Sequence, residues 1–398
     1  MKTDKRTYKD ATTLNHDKRE SAHGAVVPPI YQNSLFTFES WEDIDEAFNN
    51  KAEAYIYSRL MNPTARIAED KLAALSGAEK AKLCASGIAA ISSAILHCIN
   101  AGDHIITVKD IYGPSNNFIS KYLKNKFNVS SSFVDGKNIE EFESAINDKT
   151  RLIYLESPAS LKFELQDLQS IASLAKNHGL KTIIDNTWAS PYFQKPLELG
   201  IDIEVHSVSK YICGHSDVVA GLILSDKTTM DAIIQSEHEL LGAKIAPFEA
   251  WLILRSLRTL PARMMMHQKS GLDIAQFLEA HPAIRQVYYP GLESFPQYNL
   301  GLKQMNGFSG LLSFELDTDD IETIKNFVDS LQLFSLGVSW GGHDSLVYAP
   351  VISYLKELSP EHFKAMGIVP GLIRISVGLE DAEDLKQDLD EALSHIRN

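Results

Sequence analysis

The chain has 398 residues, 44% of them hydrophobic and 23% charged, which is an ordinary globular composition at a length that favours two domains. Its formal net charge of −14 argues against nucleic acid or an anionic membrane as the main partner. No apolar run is long enough to predict a membrane span, and residues 1–6 lead into polar sequence rather than a signal-peptide core. The three cysteines, Cys84, Cys98 and Cys213, lack metal-ligand or disulfide-framework spacing, so we expect a soluble, reduced, cytoplasmic protein without a metal site.

The predicted elements begin after an N-terminal arm. Residues 1–60 are polar and turn-rich, so we expect an extended arm rather than a domain. Helical spacing over residues 65–75 stops at Gly77, a residue typical of a helix C-cap. Short apolar runs, each typical of a strand, follow at residues 104–108, 152–155, 182–184, 203–205 and 220–224. Amphipathic stretches such as 168–175 separate several of these runs, which favours an α/β fold with a mostly parallel sheet and helices on both faces.

The last third of the chain predicts a smaller domain. Residues 249–263 are apolar, helical and basic at their end, and we expect them to lead out of the large domain. Further strands are predicted at 311–315 and 372–377, between helical segments. The predicted division is an arm over 1–60, a large domain over 61–255 and a small domain over 256–398.

Small residues open the helix predicted to run from about residue 84 to residue 98. The segment Cys84-Ala85-Ser86-Gly87-Ile88-Ala89-Ala90 exposes backbone N–H groups that, with the helix dipole, bind phosphate. A close-packed helix start explains the same residues, and on its own the segment favours that explanation. Combined with Lys210 and the hydroxyls of Ser207 and Ser209, the balance reverses in favour of a phosphate.

Lys210 is the most informative residue, because hydroxyls flank it and Asp185 ends an apolar run upstream. Both residues follow predicted parallel strands, whose carboxyl ends are where open α/β sheets bind ligands. Pyridoxal 5'-phosphate (PLP) needs such a set: a lysine for a Schiff base with its aldehyde, hydroxyls such as those of Ser207 and Ser209 for its phosphate, and a carboxylate to keep its pyridine nitrogen protonated. Taken singly, Asp185 could be a helix N-cap and Lys210 a solvated lysine. Together they predict a PLP site.

Three other positions supply candidate side chains. Tyr112 follows the strand predicted at 104–108 and can stack on the pyridine ring, although a turn-capping tyrosine explains it equally well. Arg59 lies in the arm and can bind a phosphate bidentately, on a neighbouring subunit if the arm docks there. Arg374 lies among apolar residues of a predicted strand and needs an anion, which a substrate α-carboxylate or an internal salt bridge would supply.

Together these residues resemble the PLP-dependent trans-sulfuration family, the Cys/Met metabolism enzymes. The resemblance covers nearly the whole chain, and its ordered set of motifs is highly specific. The motifs are PPIY at 28–31, YSRLMNPT at 57–64, SGIAA at 86–90, DNT at 185–187, SVSKY at 207–211, GHSDVVAG at 214–221 and RISVGLE at 374–380. The resemblance implies the PLP-dependent transferase fold type I, with PLP as the cofactor.

The resemblance also implies a role for each candidate residue. Lys210 is the Schiff-base lysine, Asp185 pairs with the pyridinium and Tyr112 stacks on the ring, and these three are the catalytic residues. The residues implied to hold the phosphate are Gly87, Ile88, Ser207 and Ser209, with Tyr57 and Arg59 from the adjacent subunit, and those implied to bind the substrate are Tyr57, Ser339, Trp340 and Arg374. The implied partner is an amino-acid thioether, and the implied assembly is a homotetramer made of two active dimers.

Within the family, the residues are most like those of the bacterial cystathionine β-lyase branch. Trp188 stands where γ-acting members more often have phenylalanine, Trp340 stands where they usually have leucine, and Pro114-Ser115 lacks the cysteine of methionine γ-lyases. The implied reaction is β-elimination of L-cystathionine to homocysteine, pyruvate and ammonia, in methionine biosynthesis. A γ-lyase, a γ-synthase and a cysteine or lanthionine C–S lyase are the alternatives.

Four positions depart from the family pattern. Ile88 replaces the common methionine, and Ser209 replaces the more common threonine. His343-Asp344 replaces a more usual pair of an aromatic residue and glutamate, which puts the outer substrate pocket in doubt.

Overall fold

The computed structural model describes residues 8–16, 22–353 and 367–396. Residues 1–7 and 17–21 of the predicted arm, and 354–366 and 397–398 of the predicted small domain, lie outside the described residues. The strands form one sheet of seven and one of five. None of the helices in the described ranges combines the length and apolar character that crossing a bilayer requires.

The larger sheet is mostly parallel, as predicted. Its strands are Lys80–Cys84 (β1), His104–Val108 (β2), Ser130–Val134 (β3), Thr150–Glu156 (β4), Lys181–Asp185 (β5), Ile203–Ser207 (β6) and Gly221–Ser225 (β7). They lie in the order β1-β7-β6-β5-β4-β2-β3, in which β7 alone runs antiparallel to its neighbours β6 and β1. Leu222 and Leu224 pack into one hydrophobic cluster and Ile223 into another, so both faces of the sheet are covered.

The α-helices surround and connect the two sheets. Their bounds are Asp10–Asn15 (α1), Trp41–Asn49 (α2), Pro63–Ser76 (α3), Gly87–Cys98 (α4), Gly113–Asn117 (α5), Lys124–Phe127 (α6), Ile139–Ala145 (α7), Leu168–Asn177 (α8), Ser190–Phe193 (α9), Lys227–Ile233 (α10), Glu239–Leu241 (α11), Pro247–Leu257 (α12), Leu260–Ala280 (α13), Tyr298–Gln304 (α14), Ile321–Ser330 (α15) and Ala382–Leu393 (α16). Short π-helical segments at Phe118–Leu123 and Ile234–His238 continue α5 and α10.

Local sequence signals explain where several helices begin and end. Asn62 caps α3 by accepting the Thr64 N–H at 3.0 Å, and α3 ends at Gly77, whose φ of 78° is left-handed. The stretch predicted as one helix over residues 249–263 is instead two helices, α12 and α13. The second begins at Leu260 with a proline in its first turn. Proline has no N–H to continue the preceding helix, which explains the break.

The smaller sheet carries Arg374. Its strands are Ile284–Tyr288 (β8), Leu311–Leu316 (β9), Ser335–Leu336 (β10), Leu346–Tyr348 (β11) and Leu372–Ser376 (β12), in the order β10-β11-β12-β9-β8. The pairs are antiparallel except β10 with β11. The two sheets fall on either side of the boundary predicted near residue 255, and the domain division itself stays a prediction.

A buried lysine attaches the arm to the larger sheet. Lys80, on β1, donates to the Ala52 carbonyl at 2.9 Å and to the carboxylates of Glu53 at 2.8 Å and Asp231 at 2.6 Å. Arg66 on α3 donates to the other oxygen of Glu53 at 2.8 Å. Burial acts to raise the pKa of Glu53, but the hydrogen bonds from Lys80 and Arg66 outweigh it and lower that pKa to about 2. Glu53 therefore stays ionised and holds the end of the arm against the sheet.

Candidate active site

Three neighbouring parallel strands end at the carboxyl edge of the larger sheet and carry polar residues there. Glu156, the last residue of β4, is paired in register with Asp185, the last residue of β5. Asp185 is paired in turn with Val205, two residues before β6 ends at Ser207. Lys210 lies in the turn that follows β6. The sheet thus brings together the residues that the sequence predicted from separate segments.

Asp185 is buried and has one carboxylate oxygen engaged. Its Oδ1 accepts the Thr187 N–H at 3.0 Å and also the Thr187 hydroxyl. Burial raises the pKa of Asp185, against the opposing effects of the Thr187 donors, His206 and Lys210. Among the described residues no hydrogen bond reaches Oδ2. A protonated ring nitrogen placed there would satisfy the free oxygen and stabilise the carboxylate.

The N-terminus of α4 packs closely against the end of β6. Ser86 caps the helix by accepting the Ala89 N–H at 3.2 Å. A Cβ added to Gly87 would lie 2.9 Å from the Cβ of Ser207, so a side chain there would fill the space between helix and strand. The N–H groups of Gly87 and Ile88 belong to the first turn, which has no carbonyl partners within the helix. Close packing and phosphate binding are therefore compatible at this helix start.

The hydroxyl of Ser209 is already engaged by the backbone of Ala220, the residue before β7. Its Oγ accepts the Ala220 N–H at 3.0 Å and donates to the Ala220 carbonyl at 3.4 Å. The second of these bonds is long, so the hydroxyl hydrogen remains able to turn to a phosphate oxygen.

The amine of Lys210 contacts the loop that connects β10 to β11 in the smaller sheet. Its Nζ donates to Ser339 Oγ at 2.5 Å and lies 5.1 Å from the ring centroid of Trp340. Burial lowers the pKa of Lys210 to about 8, with help from the nearby positive charge of Arg374 and opposed by Asp185. An amine with this pKa is partly neutral near pH 7, and the neutral form is the one that attacks an aldehyde.

We expect the lowered pKa of Lys210 to set the pH dependence of cofactor capture. Because half of the amine is neutral at pH about 8, the rate at which cofactor-free protein develops the visible absorbance of bound PLP should rise with a midpoint near that pH and level off about one pH unit above it. Stopped-flow absorbance measurements between pH 6 and pH 10 test this. A midpoint near the ordinary lysine value of 10.5 would contradict it.

Tyr112 is held at the carboxyl edge by its backbone. Its N–H donates to Glu156 Oε2 at 2.7 Å, and the other oxygen of Glu156 accepts the Ser160 hydroxyl at 2.6 Å. The Tyr112 side chain makes no capping hydrogen bond, and the residue is 46% exposed. Burial raises the pKa of Tyr112, and the carboxyl groups of Asp185 and Glu156 add to this. A half-exposed ring beside Asp185 can cover a cofactor ring.

Glu156 is a site residue that the sequence reasoning missed. It is buried, and burial together with Asp185 raises its pKa well above the ordinary value. The available signal was that Glu156, like Asp185, is an acid that ends an apolar strand run. Only the register of β4 and β5 shows that the two acids are neighbours.

The smaller sheet contributes three predicted substrate-binding residues near Lys210, namely Ser339, Trp340 and Arg374. Arg374 donates to the Val338 carbonyl at 2.9 Å, and its guanidinium lies 5.1 Å from the ring centroid of Tyr348. Its charge is close enough to lower the pKa of Lys210. Ser339 and Trp340 follow Val338 and contact Lys210 directly. Two of the three predicted residues therefore contact the lysine amine, and Arg374 contacts the backbone of the loop that carries them.

Tyr57 and Arg59 contact each other rather than the lysine. The Arg59 guanidinium lies 5.3 Å from the Tyr57 ring centroid, and Nη2 is 3.8 Å from a carboxylate oxygen of Glu239. Within the described ranges of this chain, neither residue makes a hydrogen bond or ion pair with Lys210, Ser207 or Gly87. A role for them at the site of the same chain is therefore not supported.

Trp188 lies in the core rather than at the site. It is 4% exposed, donates its indole N–H to the Leu311 carbonyl at 3.1 Å, and packs on Phe163 and Tyr289 with ring centroids 6.1 and 6.4 Å away. Its side chain therefore helps to join β9 to the segment after β5.

These residues fit PLP on the geometry of the protein alone. The free Oδ2 of Asp185 suits the ring nitrogen, the Tyr112 ring suits the ring face, and the Lys210 amine suits the aldehyde. The first turn of α4 beside Ser207 suits a phosphate. Arg374, whose charge reaches Lys210, would suit the carboxylate of an amino-acid substrate.

Comparison with known proteins agrees with this fit. Residues 10–394 match the family model described as Cys/Met metabolism PLP-dependent enzyme. The chain is 41% identical to an L-methionine gamma-lyase of Porphyromonas gingivalis, with 95% of this chain and 94% of the relative covered. It is 40% identical to a cystathionine beta-lyase of Lactococcus lactis subsp. cremoris, with 93% and 94% covered.

A solved structure is similar over the whole fold. A Campylobacter jejuni protein, described as an O-acetylhomoserine (thiol)-lyase with N'-pyridoxyl-lysine-5'-monophosphate, superimposes with a TM-score of 0.92 at 31% identity, covering 97% of this chain and 100% of that one. This likeness confirms the predicted α/β fold class.

Proposed function

Because the chain belongs to the Cys/Met metabolism PLP-dependent enzyme family, with PLP as its cofactor and fold type I, we propose that it is a C–S lyase that acts by β-elimination on L-cystathionine. The products would be homocysteine, pyruvate and ammonia. The cystathionine beta-lyase relative supports this choice of substrate, and the position of Trp340 beside Lys210 supports the β-elimination.

Each residue of the site has a defined task in this proposal. Bound PLP supplies an electron sink that makes the substrate Cα proton acidic. Lys210, whose pKa is lowered to about 8, takes that proton in its neutral form. Tyr112 or Lys210 donates a proton to the departing thiolate. Asp185 would hold the cofactor through its unengaged Oδ2 and keep a proton on the ring nitrogen, and burial would strengthen that interaction.

Other residues would bind the phosphate of the cofactor and the carboxylate of the substrate. Gly87, Ile88, Ser207 and Ser209 bind the phosphate. Arg374 and Ser339 bind the substrate carboxylate, for which the guanidinium supplies a charge-assisted contact. Since Ser339 already contacts Lys210 Nζ at 2.5 Å, a carboxylate bound there lies close to the base. This closeness favours removal of the proton from the carbon that bears the carboxylate.

The observation that carries the β-elimination is the indole beside the amine. A γ-elimination also requires proton removal at Cβ, so its base must reach two carbons, whereas β-elimination requires one. The Trp340 ring lies 5.1 Å from Lys210 Nζ and packs on Tyr211 with ring centroids 5.6 Å apart. A large ring packed against both Lys210 and Tyr211 limits how far the amine and the substrate side chain can shift.

We therefore expect Trp340→Leu to raise the share of γ-elimination. The smaller side chain opens space beside Lys210, so 2-oxobutyrate from L-cystathionine should rise several-fold relative to pyruvate (about 1 kcal/mol of discrimination). Mass spectrometry of both keto acids measures the ratio. Trp188→Phe tests the other tryptophan at which γ-acting members differ; because Trp188 is buried in the core and makes no contact with Lys210 among the described residues, this variant should leave the ratio unchanged. An unchanged ratio in Trp340→Leu would contradict the role given to Trp340.

The second candidate function is γ-elimination of L-methionine, which the methionine gamma-lyase relatives favour. Incubation of the PLP-loaded protein with L-cystathionine and, separately, with L-methionine distinguishes the two candidates. Pyruvate and homocysteine from cystathionine would support β-elimination. 2-Oxobutyrate from methionine, or 2-oxobutyrate and cysteine from cystathionine, would move the assignment to γ-elimination.

The proposal includes a homotetramer in which Tyr57 and Arg59 complete the phosphate site of a neighbouring subunit. The arm supports this because it presents apolar side chains to solvent, among them Val26 at 88% and Trp41 at 80% exposure. Tyr57 is itself 45% exposed. These surfaces are available for a second copy of the chain.

Subunit mixing tests this arrangement. Arg59→Ala and Lys210→Ala should each be inactive alone, because each lacks one part of every site. Refolded together in equal amounts, half the dimers are mixed and each contains one intact site, so about a quarter of wild-type activity should return. Light scattering measures the size of the assembly. If mixing restores no activity, Arg59 acts within its own chain.

A further inference from the structure

We propose that Tyr211, Arg263 and His267 are positioning residues, which hold the turn carrying Lys210 at a set distance from the strand that carries Arg374. The inference goes beyond the proposed function, because it holds whichever amino acid the enzyme accepts. It rests on a closed set of hydrogen bonds that joins α13 to both sides of the site.

Arg263 binds the backbone directly behind Lys210. Its Nη1 donates to the Tyr211 carbonyl at 2.6 Å and its Nη2 to the Ile212 carbonyl at 3.2 Å. The side chain is buried, forms no ion pair with any described residue, and has its pKa lowered to about 10 by that burial. A Cβ at Gly214, where φ is +65°, would lie 1.9 Å from Nη1. A side chain at residue 214 would therefore clash with the guanidinium, and the glycine there leaves the space that Arg263 occupies.

A buried arginine without a carboxylate is costly, so its contacts are informative. The same guanidinium also donates to the Ser256 carbonyl at 3.1 Å and to the Thr259 hydroxyl at 3.1 Å. Its partners are thus neutral oxygens on the lysine turn and on the junction of α12 and α13. Arg263 acts as a clamp between these two segments.

Tyr211 connects the same turn to the smaller sheet. It is fully buried, and its Oη accepts the Gly310 N–H at 3.0 Å. The Gly310 carbonyl accepts the Val377 N–H at 2.8 Å. Val377 directly follows β12, the strand of Arg374. Two successive hydrogen bonds, through Gly310, therefore connect Tyr211, the residue after Lys210, to Val377 at the end of that strand.

His267 closes the set. It lies one turn after Arg263 on α13, and its ring packs edge-on against Tyr211 with centroids 4.9 Å apart. Its Nδ1 lies 2.9 Å from the Val377 carbonyl. Burial lowers the pKa of His267 to about 4 against the effect of that carbonyl, so the ring is neutral and Nδ1 carries the hydrogen that it donates. One face of α13 thus holds both the lysine turn and the end of β12.

The geometry of the site depends on this set, because Lys210 follows β6 of the larger sheet, Arg374 lies on β12 of the smaller sheet, and no described strand pairs across the two sheets. The loop that contacts Lys210 packs tightly, since a Cβ on Gly341 would lie 3.3 Å from the Lys210 Cβ. A misplacement of about 1 Å can cost roughly 100-fold in rate. The set therefore fixes how far the lysine amine stands from the carboxylate site.

The test compares Tyr211→Phe with Tyr289→Phe. Tyr289 is equally buried and donates its hydroxyl to the Ser309 carbonyl at 2.8 Å, in the same turn as Gly310, but it does not contact the lysine turn through a hydrogen bond. Both variants lose one buried hydroxyl and should lose similar thermal stability. We expect only Tyr211→Phe to lower kcat, by about 10-fold.

A second readout does not depend on the substrate. Lys210 has a low pKa partly because Arg374 is near. If the turn moves away from β12 in Tyr211→Phe, the pH midpoint for PLP capture by the cofactor-free protein should rise by several tenths of a pH unit, and Tyr289→Phe should keep the wild-type midpoint. Equal behaviour of the two variants in kcat and midpoint would overturn the proposal. If the wild-type protein did not act on cystathionine but the PLP-capture midpoints of the two variants differed as expected, the proposed function would be wrong and the positioning role would stand.

His267 provides an independent pair of variants if Tyr211→Phe does not fold. Asparagine at position 267 keeps an N–H donor near the place of Nδ1, whereas leucine removes it. We expect His267→Leu to raise the midpoint and lower kcat, and His267→Asn to restore both towards wild type. A wild-type midpoint and kcat in His267→Leu would also overturn the proposal.

Discussion

Lys210→Ala should abolish turnover and the covalent capture of PLP. The substitution removes both the amine that bonds the cofactor and the base at the substrate Cα, so we expect kcat to fall by about 10³-fold or more. Ser339 also loses its 2.5 Å contact with Nζ, but the exposed serine can turn to water without a large loss of stability. Keto-acid production measures kcat, and the mass of the Lys210 peptide after borohydride reduction measures the covalent capture.

The matched control is Lys176→Ala, an exposed lysine on α8. It removes the same functional group from the surface and should change neither readout. A borohydride-fixed PLP adduct that persisted at wild-type yield in Lys210→Ala would refute the assignment of the lysine.

Asp185→Asn should lower kcat by about 10²- to 10⁴-fold with the fold intact. An amide still offers Thr187 an acceptor but has no charge to keep a proton on the cofactor ring nitrogen. The effect is large because the residue is 7% exposed, where water cannot replace the lost interaction. We also expect PLP to bind more weakly. Equilibrium dialysis measures the binding of PLP, and keto-acid production measures kcat.

Asp202→Asn is a close control for Asp185→Asn. Asp202 accepts the Thr182 N–H at 2.9 Å and the Thr182 hydroxyl at 2.7 Å, near the start of β5. Asp185 accepts the same two groups from Thr187 at the end of that strand. The control should therefore show a similar change in thermal stability with full activity. Equal activity loss in both variants would mean that Asp185 acts through folding rather than chemistry.

Much of the larger sheet was predictable because its signals are local. The strand predicted at 104–108 is β2 without change, the run at 182–184 is the centre of β5, and the run at 203–205 is the first part of β6. Short apolar runs between turn residues leave few alternatives in a chain that alternates strands and helices. The end of α3 at Gly77 followed from the same kind of local chemistry.

The elements that were missed depend on partners far along the chain. β1 contains Lys80 and Lys82, and because lysines are rarely buried, its sequence does not predict a buried strand. Both can be buried because each forms ion pairs with carboxylates. Lys80 pairs with Glu53 and Asp231, and Lys82 pairs with Glu69 at 3.1 Å. Nothing in the local pattern reveals these pairs. The antiparallel direction of β7 was likewise not predicted, because strand direction depends on how the chain returns to the sheet.

The sequence by itself determined the chemistry of this protein: a lysine among small hydroxyls, an acid that ends a strand and a helix that opens with small residues, in an order that resembles one PLP-dependent family. It could do so because each of these residue types is required by the cofactor and lies next to a local structural signal. Only the tertiary structure decided that Glu156 lies beside Asp185, that Trp340 packs against Lys210 and that α13 joins the lysine turn to β12. These contacts join residues far apart in the chain, and they form only when the strands align and the two sheets pack around α13.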